Sequence, residues 1–188
     1  NWQAYSGESS LSYLVQALGL SVQNFLSAAT GIAVVCALAR GLKTFGSDIG
    51  NFWRDLCRIS VYIFLPMSFI FAIFLASQGV VQSISPYVES HTLEGSRQII
   101  PQGLVASQVA IKQLGSNGGG YFGMNSAHPL ENPNPLSNFF QMLALLLIPA
   151  ALPIAFGLMI NNQRHGLTIF STMFVLFGLV VTLSMVDT

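Results

Sequence analysis

The chain has 188 residues, of which 52% are hydrophobic and only 7% are charged, and its formal net charge is zero. Soluble domains carry roughly a quarter of their residues as charged side chains, so this composition excludes an ordinary soluble domain and is typical of an integral membrane protein. The seven Lys and Arg residues are balanced by seven Asp and Glu residues. Without a basic run, the sequence gives no indication of nucleic-acid binding.

Four apolar runs are long enough to cross a bilayer as α-helices, which takes about 20 residues each. They cover residues 11–39, 59–81, 135–160 and 167–186. Most basic residues fall in two connections, residues 40–58 and 161–166, and the positive-inside rule predicts that both are cytoplasmic. Glu89, Glu94 and Glu131 are then predicted on the outer side.

A long connection, residues 82–134, separates the second and third spans, and part of it has helical character. Residues 101–114 predict a short helix, because Pro101 suits a first helical turn and Leu104, Ile111 and Leu114 fall on one side. This helix is too short to cross a bilayer, so it is predicted to be a re-entrant segment that stops at membrane depth.

The predicted short helix is followed by a polar, uncharged tract with the sequence Gly-Ser-Asn-Gly-Gly-Gly, residues 115–120. Non-helical backbone is tolerated at membrane depth only where it is buried in protein or lines a cavity. Glycines leave carbonyl oxygens free to point inward, and rings of carbonyls can replace the hydration shell of K⁺. Ser116 and Asn117 add neutral oxygens, whereas a divalent ion would favour carboxylates. The tract therefore predicts a K⁺ site, with a flexible outer loop as the alternative.

Three charged or titratable residues near the tract allow other interpretations. Lys112, in the last turn of the short helix, is expected to point away from an ion path, because its ammonium would repel a cation. His128 and Glu131 have a separation found in some acid-base or metal pairs, which leaves an intramembrane enzyme as an alternative function. Pro129 lies between them, and no second ligand cluster accompanies them.

A family resemblance becomes clear at residues 115–142, GSNGGGYFGMNSAHPLENPNPLSNFFQM. This segment resembles the second pore-loop signature of the potassium-binding subunit of Kdp, the bacterial potassium-transporting P-type ATPase. The segments NWQAYSGE, at the start of the chain, and SVQNFLSAATGIAV, from residue 21, resemble the same subunit just after its first pore loop.

The resemblance implies an all-α integral membrane fold of repeats, each a helix, a re-entrant pore loop and a helix. The chain is expected to hold about four transmembrane helices and one short pore helix. Residues 1–51 would be the tail of a first repeat, residues 52–160 a complete second repeat, and residues 161–188 the first helix of a third. The chain is thus expected to be a piece of a longer protein.

The resemblance also implies which residues bind K⁺. The filter tract of the second repeat would consist of Ser116, Asn117, Gly118, Gly119 and Gly120, where the family usually has threonine in place of Ser116. Asn1 would be the last residue of the first filter.

In the family that this chain resembles, ion binding and ATP hydrolysis belong to different subunits, and this implies the partners. This subunit would select K⁺ from outside a bacterial inner membrane and pass it to the catalytic P-type ATPase subunit KdpB, with KdpC and KdpF completing the complex. The chain itself carries no Asp-Lys-Thr-Gly sequence and is expected neither to bind nucleotide nor to hydrolyse ATP. A Trk-type or channel-like potassium pore without ATP coupling is the alternative within transport.

Overall fold

The structure is a computed structural model that describes residues 7–43 and 48–186. It is mainly helical, as predicted. The helices are α1 (Gly7–Ser10), α2 (Val22–Lys43), α3 (Phe52–Ile59), α4 (Leu65–Ser77), α5 (Val105–Leu114), α6 (Pro135–Met159) and α7 (Gln163–Val186). A π-helical segment, Val15–Ser21, leads into α2, and another, Ser60–Phe64, joins α3 to α4.

Within the described residues, four helical segments are long and apolar enough to cross a membrane. They are Val15–Lys43, Phe52–Ser77, Pro135–Met159 and Gln163–Val186. These segments confirm the four spans predicted from the apolar runs. Their ends differ from the predicted ones mainly at the sides rich in basic residues, because polar residues continue the helices there.

The second span, Phe52–Ser77, begins well before its predicted start at residue 59. The helix starts there because the side chain of Asn51 accepts a hydrogen bond from the Arg54 amide (3.0 Å) and caps the first turn. Because charged residues such as Asp55 lie in these first turns, a search for apolar runs does not detect this part of the helix.

The short helix α5 covers Val105–Leu114, so the prediction that it begins at Pro101 is wrong. Residues 101 and 102 have no helical conformation. The carbonyl of Gln102 instead accepts a hydrogen bond from the Tyr121 hydroxyl (3.1 Å). This tertiary contact holds a non-helical segment where the local sequence favours a helical turn.

The long connection between the second and third spans contains a β-hairpin that the sequence analysis did not predict. Strand β1 (Val88–His91) pairs antiparallel with β2 (Arg97–Ile100), and Val88 lies opposite Ile100. Gly95, in the turn, has a φ of 83°. A glycine between two short polar segments is a weak signal, because the strands lack a clear apolar alternation.

Helix α6 begins at Pro135, where the third predicted span begins, and Asn134 is its N-cap. The Asn134 side chain accepts from the Ser137 amide (2.9 Å), and the Asn134 amide donates to Ser137 Oγ (3.3 Å), which forms a capping box. Farther along, α6 passes close to α7, since a Cβ on Gly157 would lie only 2.8 Å from Gly166 Cα.

Two apolar clusters surround α5 and fix its position. One packs α5 against the end of α4 and the segment after the tract; its members are Leu75, Val80, Val105, Ala106, Val109, Ala110, Tyr121 and Phe122. The other packs the end of α5 against three spans; its members are Ala29, Ala33, Ile59, Phe64, Leu114 and Ala144. The last residues of α5 are therefore held among the spanning helices.

Candidate functional site

Helix α5 ends where the polar glycine tract, residues 115–120, begins. The Gly115 amide still donates to Ile111 O (2.9 Å), but Ser116 has a φ of 53° and leaves the helix. The Asn117 amide then donates to Lys112 O (3.0 Å). The backbone thus turns sharply at the C-terminus of α5, whose carbonyl dipoles favour a nearby cation.

Two side chains of the tract attach it to spanning helices. Ser116 Oγ donates to the carbonyl of Leu145 in α6 (2.9 Å), and Asn117 Nδ2 donates to Ser27 Oγ in α2 (2.8 Å). Asn117 Oδ1 is buried and accepts no hydrogen bond within the described residues. Both side chains that the sequence analysis offered as ion ligands therefore also position the tract.

The next two residues, Gly118 and Gly119, each have a φ of 74°. This left-handed conformation favours glycine, because an L side chain is strained there. The Gly119 amide donates to the side-chain oxygen of Asn125. The tract thus depends on glycine at these two positions for its backbone conformation.

The carbonyl oxygens along the tract fall into two groups. In the part of the chain that the structure describes, the carbonyls of Ser116, Asn117 and Gly118 accept no hydrogen bond. The Gly119 carbonyl accepts from Lys112 Nζ (2.7 Å), and the Gly120 carbonyl accepts from an amide three residues later (3.2 Å). Among the described residues, three successive carbonyls thus have no hydrogen-bond donor.

Lys112 forms a buried ion pair with Glu131 directly behind the tract. Lys112 Nζ lies 2.9 Å from Glu131 Oε2, and the two side chains are 1% and 0% exposed. The sequence analysis left the partner of Lys112 open and placed Glu131 on the outer side. The side of the membrane stays a prediction, but the Glu131 side chain is enclosed by protein.

Two glutamines support the segment that carries Glu131. Gln141, in α6, donates through Nε2 to the Glu131 carbonyl (2.9 Å) and accepts from Gln113 Nε2 (2.9 Å). Gln113 also donates to Ser126 Oγ (3.1 Å). Polar residues within apolar segments thus buttress the loop after the tract.

A second buried polar pair links α5 to the segment before α2. Gln108 Nε2 donates to Gln16 Oε1 (2.8 Å), and Gln16 Nε2 donates to the Tyr121 carbonyl (3.3 Å). The sequence analysis missed this contact. Its signal is polar residues inside apolar segments, Gln16 in the first apolar run and Gln108 in the short helix.

The tract lies between two cavities of different character. A cavity of about 450 Å³ reaches Gly118 and Gly119 and is lined in part by amide side chains, including Asn138 and Gln141. An apolar cavity of about 530 Å³ reaches Gly115 and Ser116. The two ends of the tract thus line different cavities, and the one at Gly118 and Gly119 is the more polar.

The structure does not bring His128 and Glu131 together as an acid-base pair. His128 Nδ1 accepts a hydrogen bond from the Leu130 amide (3.2 Å), and its ring stacks on Phe122 with centroids 4.0 Å apart. Both Glu131 oxygens have partners, since Oε1 accepts from the Phe122 amide (3.1 Å) and Oε2 from Lys112. Asn1, the remaining predicted ion ligand, lies outside the described residues.

Comparison with known proteins identifies the family. The model of the family described as "Potassium-transporting ATPase A subunit" matches residues 1–188. Three relatives are each named "Potassium-transporting ATPase potassium-binding subunit". The protein from Methylibium petroleiphilum is 57% identical over 96% of this chain and 32% of its own length, and that from Clostridium perfringens is 59% identical over 94% and 32%. The protein from Erwinia tasmaniensis is 54% identical over 98% of this chain and 33% of its own length.

The chain thus spans about a third of the length of the curated relatives that it matches. Matches at this level of identity over nearly all of the chain agree with the resemblance at the polar tract and with the four spanning helices. The chain belongs to the family of potassium-transporting ATPase A subunits.

Proposed function

We propose that the chain is part of the potassium-binding subunit of an ATP-driven uptake complex, and that its tract contributes backbone carbonyls to the K⁺ site. The observation that carries this proposal is the run of three carbonyls, at Ser116, Asn117 and Gly118, that accept no hydrogen bond from the described residues. One cavity beside the tract carries amide side chains and the other is apolar. Carbonyl oxygens are the ligands that potassium filters use to replace the hydration shell of the ion.

The electrostatics of the site favour a monovalent cation. The C-terminus of α5 points its carbonyl dipoles at the tract, and the nearest full charges, those of Lys112 and Glu131, form a pair. A divalent ion would favour carboxylate ligands. Within the described residues no group of three or more His, Cys, Asp or Glu side chains could hold such an ion.

The wider assignment follows from the family. The relatives are named as subunits of a potassium-transporting ATPase, so ATP hydrolysis would reside in a separate catalytic subunit, KdpB, with KdpC and KdpF in the complex. We propose residues 52–160 as one complete pore-loop repeat, flanked by parts of its neighbours in residues 1–51 and 161–188. The filter would then be completed by other repeats of the full-length subunit.

The proposed orientation places residues 40–58 and 161–166 in the bacterial cytoplasm. At the first of these connections Arg40 forms an ion pair with Asp55 and donates to the Ile49 carbonyl (3.3 Å). Arg54 and Arg58 lie on α3, the helix that also carries Asp55. This concentration of basic residues favours the cytoplasmic side.

A glycine substitution with a matched control tests the site. Gly118→Ala, in the full-length subunit within its complex, is expected to raise the K⁺ concentration for half-maximal ATPase stimulation by about tenfold, which corresponds to about 1.4 kcal/mol, and to admit Rb⁺ or NH₄⁺. Gly95→Ala makes the same change at a φ of 83°, in a hairpin turn with open space around it. If Gly118→Ala left K⁺ affinity and ion preference unchanged, the assignment of the tract to the K⁺ site would be wrong.

A further inference from the structure

The Lys112–Glu131 ion pair is the only pair between two side chains that are both fully buried, among the residues that the structure describes. It touches the backbone on both sides of Gly120. Lys112 Nζ donates to the Gly119 carbonyl (2.7 Å), and Glu131 Oε1 accepts from the Phe122 amide (3.1 Å). The pair therefore fixes two backbone groups that frame the end of the tract.

An ammonium next to a potassium site affects ion binding in two ways. It occupies the carbonyl to which it donates, so that oxygen becomes a poorer ligand for a second cation. Its charge also repels any cation nearby, and this repulsion is strong where the surroundings are of low polarity. The carboxylate of Glu131, at 2.9 Å, neutralises Lys112 and so removes most of this repulsion.

We propose that the Lys112–Glu131 pair is a positioning device that sets the ligand set of the tract, withholding the Gly119 carbonyl from the ion and presenting only the carbonyls of Ser116, Asn117 and Gly118. This inference rests on the proposed K⁺ site. Lys112 and Glu131 would then influence ion preference without contacting the ion themselves.

The surroundings of Gly120 provide independent support for this role. A Cβ on Gly120 would lie 2.6 Å from both Lys112 Nζ and Glu131 Oε1. The backbone of the tract is thus packed directly against the ion pair, with no room for a side chain. A displacement of either charged group would be transmitted to the tract because of this close packing.

The experiment uses the full-length subunit in its assembled complex with Lys112→Met, Glu131→Gln and the double variant. The measured quantities are the K⁺ and Rb⁺ concentrations for half-maximal ATPase stimulation, the maximal rate and the yield of intact complex. Arg97→Met and Glu89→Gln are the controls, because they make matched changes in an exposed ion pair of the hairpin.

Glu131→Gln leaves the Lys112 ammonium without its carboxylate, so the half-maximal K⁺ concentration should rise by about tenfold or more. The double variant removes the ammonium as well and should bring that concentration back toward the wild-type value. Lys112→Met and the double variant both free the Gly119 carbonyl, so their ratio of half-maximal Rb⁺ to K⁺ concentration should fall. The two controls should behave as wild type.

Each remaining result has a defined meaning. The proposal is overturned if assembled variants keep the wild-type K⁺ dependence and Rb⁺ ratio. It is also overturned if the double variant is as impaired as Glu131→Gln or fails to assemble, since the pair would then serve folding alone. A wild-type complex that K⁺ does not stimulate would contradict the proposed function itself. A wild-type complex that K⁺ stimulates, with variants that respond in the same way, would contradict only the role of the ion pair.

Discussion

Asn117 Nδ2 donates a hydrogen bond to Ser27 Oγ over 2.8 Å and so connects the polar tract to α2. Ser27 in turn donates to the Asn24 carbonyl one turn earlier (3.1 Å). On the other side of the tract, Ser116 is tied to α6. The tract is thus held between two spanning helices, and its position depends on the distance between them.

Ser27→Ala is expected to weaken K⁺ binding by removing the acceptor for Asn117. A neutral hydrogen bond contributes about 0.5–1.5 kcal/mol, so the half-maximal K⁺ concentration of the full-length complex should rise by roughly two- to tenfold. The control is Ser77→Ala, because the Ser77 hydroxyl has only local partners: it donates to the Phe74 carbonyl and accepts from the neighbouring Gln78 side chain. Equal effects of the two changes would show that the contact with Asn117 has no influence on the site.

Gly120→Ala is expected to destabilise the region around the tract. The added methyl group would meet the buried Lys112–Glu131 pair at 2.6 Å, and overpacking of this kind costs about 1–3 kcal/mol. The yield of intact complex and its thermal midpoint should both fall. Gly178→Ala is the matched control, because nothing lies within 4 Å of a Cβ at that position; a similar loss there would argue against a packing effect at Gly120.

The proposed orientation predicts opposite labelling in the connections that precede and follow the second span. With Cys36 and Cys57 replaced, a cysteine at position 89 in the hairpin should react with an impermeant thiol reagent in intact cells. A cysteine at position 43, at the end of α2, should react only after the membrane is opened. The reverse pattern would invert the topology.

The spanning helices and the polar tract could be predicted from the sequence because their signals are local. Apolar runs, the cap at Asn134 and the glycines after residue 114 each act within a few neighbouring residues. The start of α5 could not be predicted in this way. Pro101 favours a helical turn locally, but the contact between Tyr121 and Gln102 decides the conformation.

The buried contacts behind the tract were also beyond local reasoning. Lys112 and Glu131 are far apart in sequence, and nothing nearby shows that a folded loop brings them to 2.9 Å. The same holds for Gln16 and Gln108. A rule could have found the first pair: a lysine in an apolar segment requires a partner, and the other charged residue close to the tract is the acidic Glu131.

The central claim is that the tract binds K⁺ through the carbonyls of Ser116, Asn117 and Gly118. The most direct measurement is the anomalous difference density of Tl⁺, which substitutes for K⁺, in crystals of the full-length complex. We expect a peak within coordination distance of these three oxygens, and we expect Gly118→Ala to weaken or displace it. Tl⁺ peaks elsewhere in the subunit, with none at the tract, would contradict the claim.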